Sequence, residues 1–174
     1  MKPRAVLIAL ALAVAAELGP ALTSPALDWP KILLWNASAS APIGLYLLRP
    51  ATPLHTGELV AVTPPTPLAR FMAARGYLPL GVPLLKHVAA LGGQTVCRLA
   101  RTVTIDGAPV ATTLGRDSHG RPLPVWQGCR TLQVGEVFLL NRTAQGSFDG
   151  RYFGVLPVTT ITARAVPFWT SKEP

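Results

Sequence analysis

Ser38 and Ser40 stand two apart in the small-residue stretch Asn36-Ala37-Ser38-Ala39-Ser40-Ala41-Pro42-Ile43-Gly44-Leu45-Tyr46, and a single basic residue, Lys86, is set in an apolar run downstream. A serine hydroxyl attacks a carbonyl well only when a neighbour takes its proton. A lysine can be that neighbour when it is neutral, and an apolar surround favours the neutral form, drawing the pKa down from about 10.4. Val82-Pro83-Leu84-Leu85 on one side of Lys86 and Val88-Ala89-Ala90-Leu91 on the other supply such a surround. The pair reads as nucleophile and base of a serine/lysine hydrolase. A plainer reading stands beside it: two serines in a turn, and a lysine whose stem covers apolar surface while its ammonium reaches water.

A further polar cluster, Asn141 to Gly154, follows the apolar run Val137-Phe138-Leu139-Leu140. A loop there can bring the Ser147 hydroxyl, the Asp149 carboxylate and the Arg151 guanidinium to the rim of a cleft. Asp149 and Arg151 are equally the makings of an ordinary loop salt bridge. The histidines, His55, His87 and His119, lack ligand spacing to Cys97 or Cys129, which argues against zinc, and no metal or cofactor is expected. His87 and His119 read as surface or internally satisfied side chains. The tryptophans Trp29, Trp35, Trp126 and Trp169 read as core residues, with an interfacial place at a bilayer as the alternative.

The elements that must position these groups are short. Eighteen prolines and fifteen glycines among 174 residues break the chain too often for a helical bundle, and favour strands and turns. Strands are expected at 45–48, 57–62, 84–91, 94–99, 135–140 and 161–168, and the segment from Trp29 to Trp35 is an apolar lead-in, a strand or a membrane-touching piece. Pro67 and Gly76 bracket the one convincing helix, Leu68 to Arg75. Thr102-Val103-Thr104-Ile105, Asp106-Gly107 and Ala108-Pro109-Val110-Ala111 form a hairpin signature of type I′. Asp117 to Arg121 is a polar loop.

With 49% hydrophobic residues the chain can bury a core, and its length suits one domain. Met1-Lys2-Pro3-Arg4 followed by an apolar run from Ala5 to Ala16 reads as an export signal, too short by itself to span a bilayer. An uncleaved anchor reaching towards Leu27 is the alternative. Residues 1–28 are thus assigned to a signal peptide or anchor and 29–174 to the working domain. Export places Cys97 and Cys129 in an oxidising compartment, where a disulfide is expected; two free buried thiols are the alternative. The net charge of +8 invites a nucleic-acid partner, but the basic residues are scattered singly, without a run or a recognition-helix pattern, and anionic lipid headgroups, or a neutral explanation with no charged partner, suit them better.

Three stretches together carry a family resemblance. Ser38-Ala39-Ser40 with Pro42, then Leu85-Lys86-His87-Val88, then Ser147-Phe148-Asp149-Gly150-Arg151-Tyr152-Phe153-Gly154 occur in the order of three boxes of the type I signal peptidases. Asn36 to Tyr46, Pro83-Leu84-Leu85-Lys86 and Gly128-Cys129-Arg130 resemble more closely the TraF-type conjugal transfer peptidases. The resemblance runs from about Trp29 to Pro167. It implies a mainly β fold of the signal-peptidase kind, an antiparallel sheet or barrel with a short helix behind an N-terminal export or anchor segment. It implies Ser40 as nucleophile, Lys86 as general base, Ser38 as an oxyanion-hole donor with the Ser40 backbone N–H, Ser147 as the hydroxyl that orients the lysine, and Asp149 and Arg151 as a supporting pair. It further implies a periplasmic serine endopeptidase at the outer face of the bacterial inner membrane. Its substrate would be the precursor of a conjugative pilin, matured and in some systems cyclised, and components of the conjugation apparatus would be its neighbours. Ala41 in place of a bulky residue, His87 in place of a basic one, and Gly92-Gly93-Gln94 in place of Pro-Gly-Asp depart from the housekeeping enzymes and favour a dedicated substrate. A general signal peptidase and a non-catalytic scaffold of the conjugation machinery remain the alternatives.

Overall fold

The structure is a computed structural model and describes residues 32–171. The expectations for residues 1–28 and for Trp29 lie outside the described residues. Among those described, no helix is long and apolar enough to cross a membrane.

Eleven strands form two antiparallel sheets among the described residues. The larger contains β1 (Leu33–Asn36), β2 (Gly44–Arg49), β3 (Leu59–Val62), β4 (Leu84–Leu91), β9 (Glu136–Leu140), β10 (Val155–Pro157) and β11 (Ile161–Thr170), in the order β1-β2-β11-β3-β4-β9-β10. The smaller contains β5 (Thr95–Leu99), β6 (Thr102–Ile105), β7 (Ala108–Thr112) and β8 (Gly128–Thr131), in the order β7-β6-β5-β8. The helices are α1 (Thr66–Ala74) and the single turn α2 (Gly150–Phe153). The fold is mainly β and antiparallel, as expected.

The central strands are buried on both faces, which is why they read as unbroken apolar runs rather than alternating ones. On β3, Val60 and Val62 join a cluster with Met72, Leu84, Val88, Val137 and Leu139, while Leu59 and Ala61 join Tyr46, Leu85 and Ala165 on the opposite face. On β9, Phe138 and Leu140 turn to a third cluster with Val96, Val103 and Leu132, which seats the smaller sheet. The two-residue period of β4 sets Lys86 on the face of Leu84 and Val88, among the buried residues. Its ladder partners are Val60 on β3 and, beyond Lys86, the His87–Leu140 pair with β9.

Turn chemistry fixes the connections. Asp106 and Gly107 both have positive φ, 50° and 81°, as a type I′ turn requires. At the start of β2, Gly44 has φ 146°, and a Cβ there would lie 2.1 Å from the Trp169 carbonyl oxygen. Only glycine allows β11 to approach this closely. Cys97 and Cys129 are directly opposed on β5 and β8 and form a disulfide.

Two readings need correction. The helix begins at Thr66, before Pro67, because a proline in the first turn gives up only an N–H that has no partner within the helix. Trp35 and Trp169 are not core residues: they are 55% and 70% exposed and lie against each other with ring centroids 6.2 Å apart. Trp35 is on the edge strand β1 and Trp169 is at the far end of β11, where no layer built from the described residues covers them. Trp126, half-buried, meets the edge of Phe138 and donates its indole N–H to the Gly150 carbonyl.

Candidate active site

The loop from β1 to β2 holds its shape through one side chain. Asn36, buried at the end of β1, donates through Nδ2 towards the carbonyls of Ser38, Ala41 and Pro42 at 2.9, 3.1 and 3.0 Å, and its Oδ1 accepts the Ser38 N–H at 3.0 Å. The Tyr46 hydroxyl donates to the Pro42 carbonyl at 2.6 Å. Ala41 tucks into the core beneath, so the turn is anchored from below while Ser38 is exposed above. The two hydroxyls are 3.0 Å apart, and the Ser40 N–H donates to Ser38 Oγ at 3.3 Å.

From the floor of the cleft, Lys86 Nζ donates to Ser147 Oγ at 2.9 Å and to Ser40 Oγ at 3.4 Å. The lysine is 2% exposed. Burial is the main influence on its amine and draws the pKa from 10.5 to about 8; the Asp149 carboxylate pushes it up and the Arg151 guanidinium down. The apolar strand thus has the effect foreseen from its composition: the neutral amine is within reach near neutral pH.

Behind Ser147 stands a buried ion pair. Asp149 caps the N-terminus of α2, and its carboxylate takes Arg151 Nε at 2.9 Å and Nη2 at 2.8 Å, a two-pronged contact. The same guanidinium holds the loop carbonyls of Ala144, Gln145 and Ser147 at 2.7, 3.0 and 3.2 Å. These bonds wrap residues 144–149 around one cation and place the Ser147 hydroxyl against the lysine. Gly150 lets the loop pack on β9, since a Cβ there would lie 2.6 Å from the Leu139 carbonyl oxygen.

A cleft of about 380 Å³ opens at this point. Its polar end carries Ser38, Ser40, Lys86 and Ser147, and its apolar length is walled by Met72, Leu84, Leu123, Phe148 and Tyr152. Phe148 stacks on Tyr152 at 5.6 Å and on Phe71 at 5.6 Å, so the wall is a packed aromatic file. At the far end Asp117 accepts from the Tyr77 hydroxyl at 2.5 Å and from Arg121 Nε at 2.7 Å, tying the 114–123 loop to the end of α1. The arrangement offers a hydroxyl nucleophile, a buried amine and an apolar trough for an extended chain.

The family pattern described as signal peptidase, peptidase S26, matches residues 3–169 of this chain. The chain belongs to the S26 signal peptidase family. The curated relatives of this S26 protein include the conjugal transfer protein TraF of Agrobacterium fabrum strain C58, 38% identical over 146 residues that cover 78% of this chain and 81% of the relative. A probable conjugal transfer protein TraF of Sinorhizobium fredii is 34% identical over 140 residues, 75% of this chain and 73% of the relative. A plasmid transfer protein TraF of Escherichia coli is 35% identical over 130 residues, 68% and 72%. Among solved structures, a signal peptidase I of Enterococcus faecalis V583 aligns at 21% identity with a TM-score of 0.36, covering 63% of this chain and 94% of that one.

The six side chains singled out in the sequence fall into two groups in this S26 fold. Ser38, Ser40, Lys86 and Ser147 meet at the cleft, and Asp149 and Arg151 lie beneath Ser147. Sequence reasoning missed the two asparagines, Asn36 and Asn141, whose carboxamides organise the turn and the strand. The available signal was their position, each at the end of a strand as the chain enters a loop.

Proposed function

We propose that this S26 peptidase is a serine endopeptidase of conjugal transfer, with Ser40 and Lys86 as its catalytic dyad. The observation that carries the reading is the buried Lys86 amine, shared between the hydroxyls of Ser40 and Ser147 and brought down to about 8. Neutral Lys86 takes the Ser40 proton as Oγ attacks the scissile carbonyl. The tetrahedral oxyanion is held by the Ser40 N–H, which then exchanges its bond to Ser38 Oγ for the substrate, and by the Ser38 hydroxyl. Collapse breaks the peptide bond, and the Lys86 ammonium returns the proton to the leaving amine, giving an acyl-enzyme on Ser40. Water deprotonated by Lys86, or a second amine, resolves the ester and frees Ser40. Ser147 keeps the amine aimed throughout.

The transfer-protein names of the relatives support a role in conjugal transfer, and the substrate proposed for it is a conjugative pilin precursor. A place at the outer face of the inner membrane is supported by Ile32, Leu33, Trp35, Ile43, Phe168 and Trp169, all exposed apolar side chains on β1 and β11 or immediately before β1 and β2, together with the net charge of +8. Mass spectrometry of co-expressed pilin tests the reading. Processed pilin is expected with the wild-type protein and precursor alone with Ser40→Ala or Lys86→Ala. Equal processing by both variants would defeat the dyad, and a pilin left whole by the wild type would defeat the substrate.

A further inference from the structure

Asn141 directly follows β9, is 1% exposed, and its carboxamide has partners for both of its donors and for its oxygen. Nδ2 donates to the Ser40 carbonyl at 2.6 Å and to the Leu85 carbonyl at 3.1 Å. Oδ1 accepts the His87 backbone N–H at 3.2 Å and lies 3.1 Å from His87 Nδ1. The partners fix the orientation of the amide, because exchanging its oxygen and nitrogen would set an oxygen against two carbonyls.

Leu85 and His87 are the two neighbours of Lys86. The side chain therefore grips the lysine's strand on both sides and reaches across 101 residues of sequence to the peptide of the proposed nucleophile. It does so where the main chain leaves the sheet: the ladder between β4 and β9 ends at the His87–Leu140 pair, and the carboxamide then satisfies the strand groups that a continued β9 would have paired. The backbone of Asn141 joins the third part of the site, its N–H donating to Asp149 Oδ2 at 3.1 Å and its carbonyl accepting Arg151 Nη2 at 3.4 Å. Asn36 cannot replace this tie, since its bonds end at Ser38, Ala41 and Pro42, inside the turn itself.

We propose that Asn141 is the positioning residue of this centre: its carboxamide fixes the Ser40 peptide to the two residues flanking Lys86 and so sets the distance between nucleophile and base. The inference rests on the Ser40–Lys86 reading. The distance it controls is at a sensitive value, for Nζ and Oγ are 3.4 Å apart at rest, and proton transfer wants about 2.6–3.2 Å. A turn freed to drift by about 1 Å loses roughly 10²-fold in rate.

The test uses the full-length protein with p-nitrophenyl butyrate as probe, measuring kcat and KM per folded molecule from about pH 6 to about pH 10, beside Ser40→Ala as the blank. Two variants are compared. Asn141→Ala removes every bond of the carboxamide, whereas Asn141→Asp keeps the shape and the acceptor for the His87 N–H but loses both donors, so that it serves even if the alanine variant does not fold. Each is expected to lose about 10²-fold in kcat with KM changed by less than about threefold, and Asn141→Ala to keep the midpoint of the wild-type pH profile. An Asn141 variant that melts earlier yet turns over at the wild-type rate per folded molecule overturns the proposal and leaves Ser40 and Lys86 standing. A wild-type protein no faster than Ser40→Ala overturns the dyad, and the inference with it.

Discussion

Two segments each bring a serine hydroxyl to the Lys86 amine, and they are built differently. The 36–42 turn is neutral, held by a carboxamide that collects its carbonyls, and raises Ser38 to the surface and Ser40 to the cleft mouth. The 144–151 loop is charged within, wound on the Arg151 guanidinium, and buries Ser147, Asp149 and Arg151. The difference suits what each does in the proposed mechanism. A hydroxyl that meets a substrate has to stay accessible, and neutral backbone ties hold it without placing a charge where the substrate comes in. A hydroxyl that only aims the amine is better sealed, and a sealed ion pair fixes a loop through many bonds at once. In the proposed mechanism reaction belongs to the first segment and rigidity to the second.

That division is broken most directly by Ser40→Ala. Activity should vanish, while stability stays within about 0.5 kcal/mol, because the substitution takes one hydroxyl from a half-exposed turn. A large fall in the urea midpoint would show the turn to be a structural element as well. Arg151→Ala should do the converse. It leaves the Asp149 carboxylate buried without its partner and unties three loop carbonyls, at a cost of about 3–5 kcal/mol, read by chemical denaturation; a cost under about 1 kcal/mol would deny the loop its part as a brace.

Ser38→Ala tests the division inside the turn itself. A single oxyanion donor is worth about 10²- to 10³-fold in kcat, and the Ser40 N–H remains to supply the other, so activity should be impaired and not abolished. An unchanged kcat would make Ser38 an ordinary turn serine. The smallest effect is at the shared amine. Lys86 is lowered by burial from 10.5 to about 8, so the unfolded chain holds the proton more tightly, and the penalty of burying the ammonium is fully present below about pH 8 and gone above about pH 10.5. Stability should therefore rise with pH across that window, and Lys86→Met should flatten the rise and gain about 1–3 kcal/mol at pH 7. Activity should climb with the neutral fraction through about pH 8 and level off above about pH 9. A wild-type stability that falls between pH 8 and 10 would mean that the lysine is not penalised by its site.

What the sequence disclosed, it disclosed through local chemistry. β4 was legible to its ends because Pro83 and Gly92 bound an apolar run broken only by Lys86 and His87, and the Asp106-Gly107 turn because few other pairs tolerate two positive φ values. The lysine was legible for the same reason, a charge where its neighbours exclude water. β8 was not, since Gly128, Cys129, Arg130 and Thr131 show no alternation and become a strand only by pairing with β5. α2 was hidden in a polar cluster whose fold depends on one buried guanidinium, and β10, only three residues long, follows that cluster directly. Asn141 was invisible as a tie because each of its side-chain partners lies more than fifty residues away. Trp35 and Trp169 misled because size and apolarity argue for burial only where another layer is present to provide it.

The exposure of those two indoles has a spectroscopic meaning. An indole in water emits at longer wavelength than one in an apolar setting, and Trp35 and Trp169 lie together on one uncovered face while Trp126 is packed against Phe138. The emission of the indoles among the described residues is therefore split by location. Its red component reports on whatever lies against the β1 and β11 face, and Trp126 answers for the integrity of the core, so contact and unfolding leave different marks on a single spectrum.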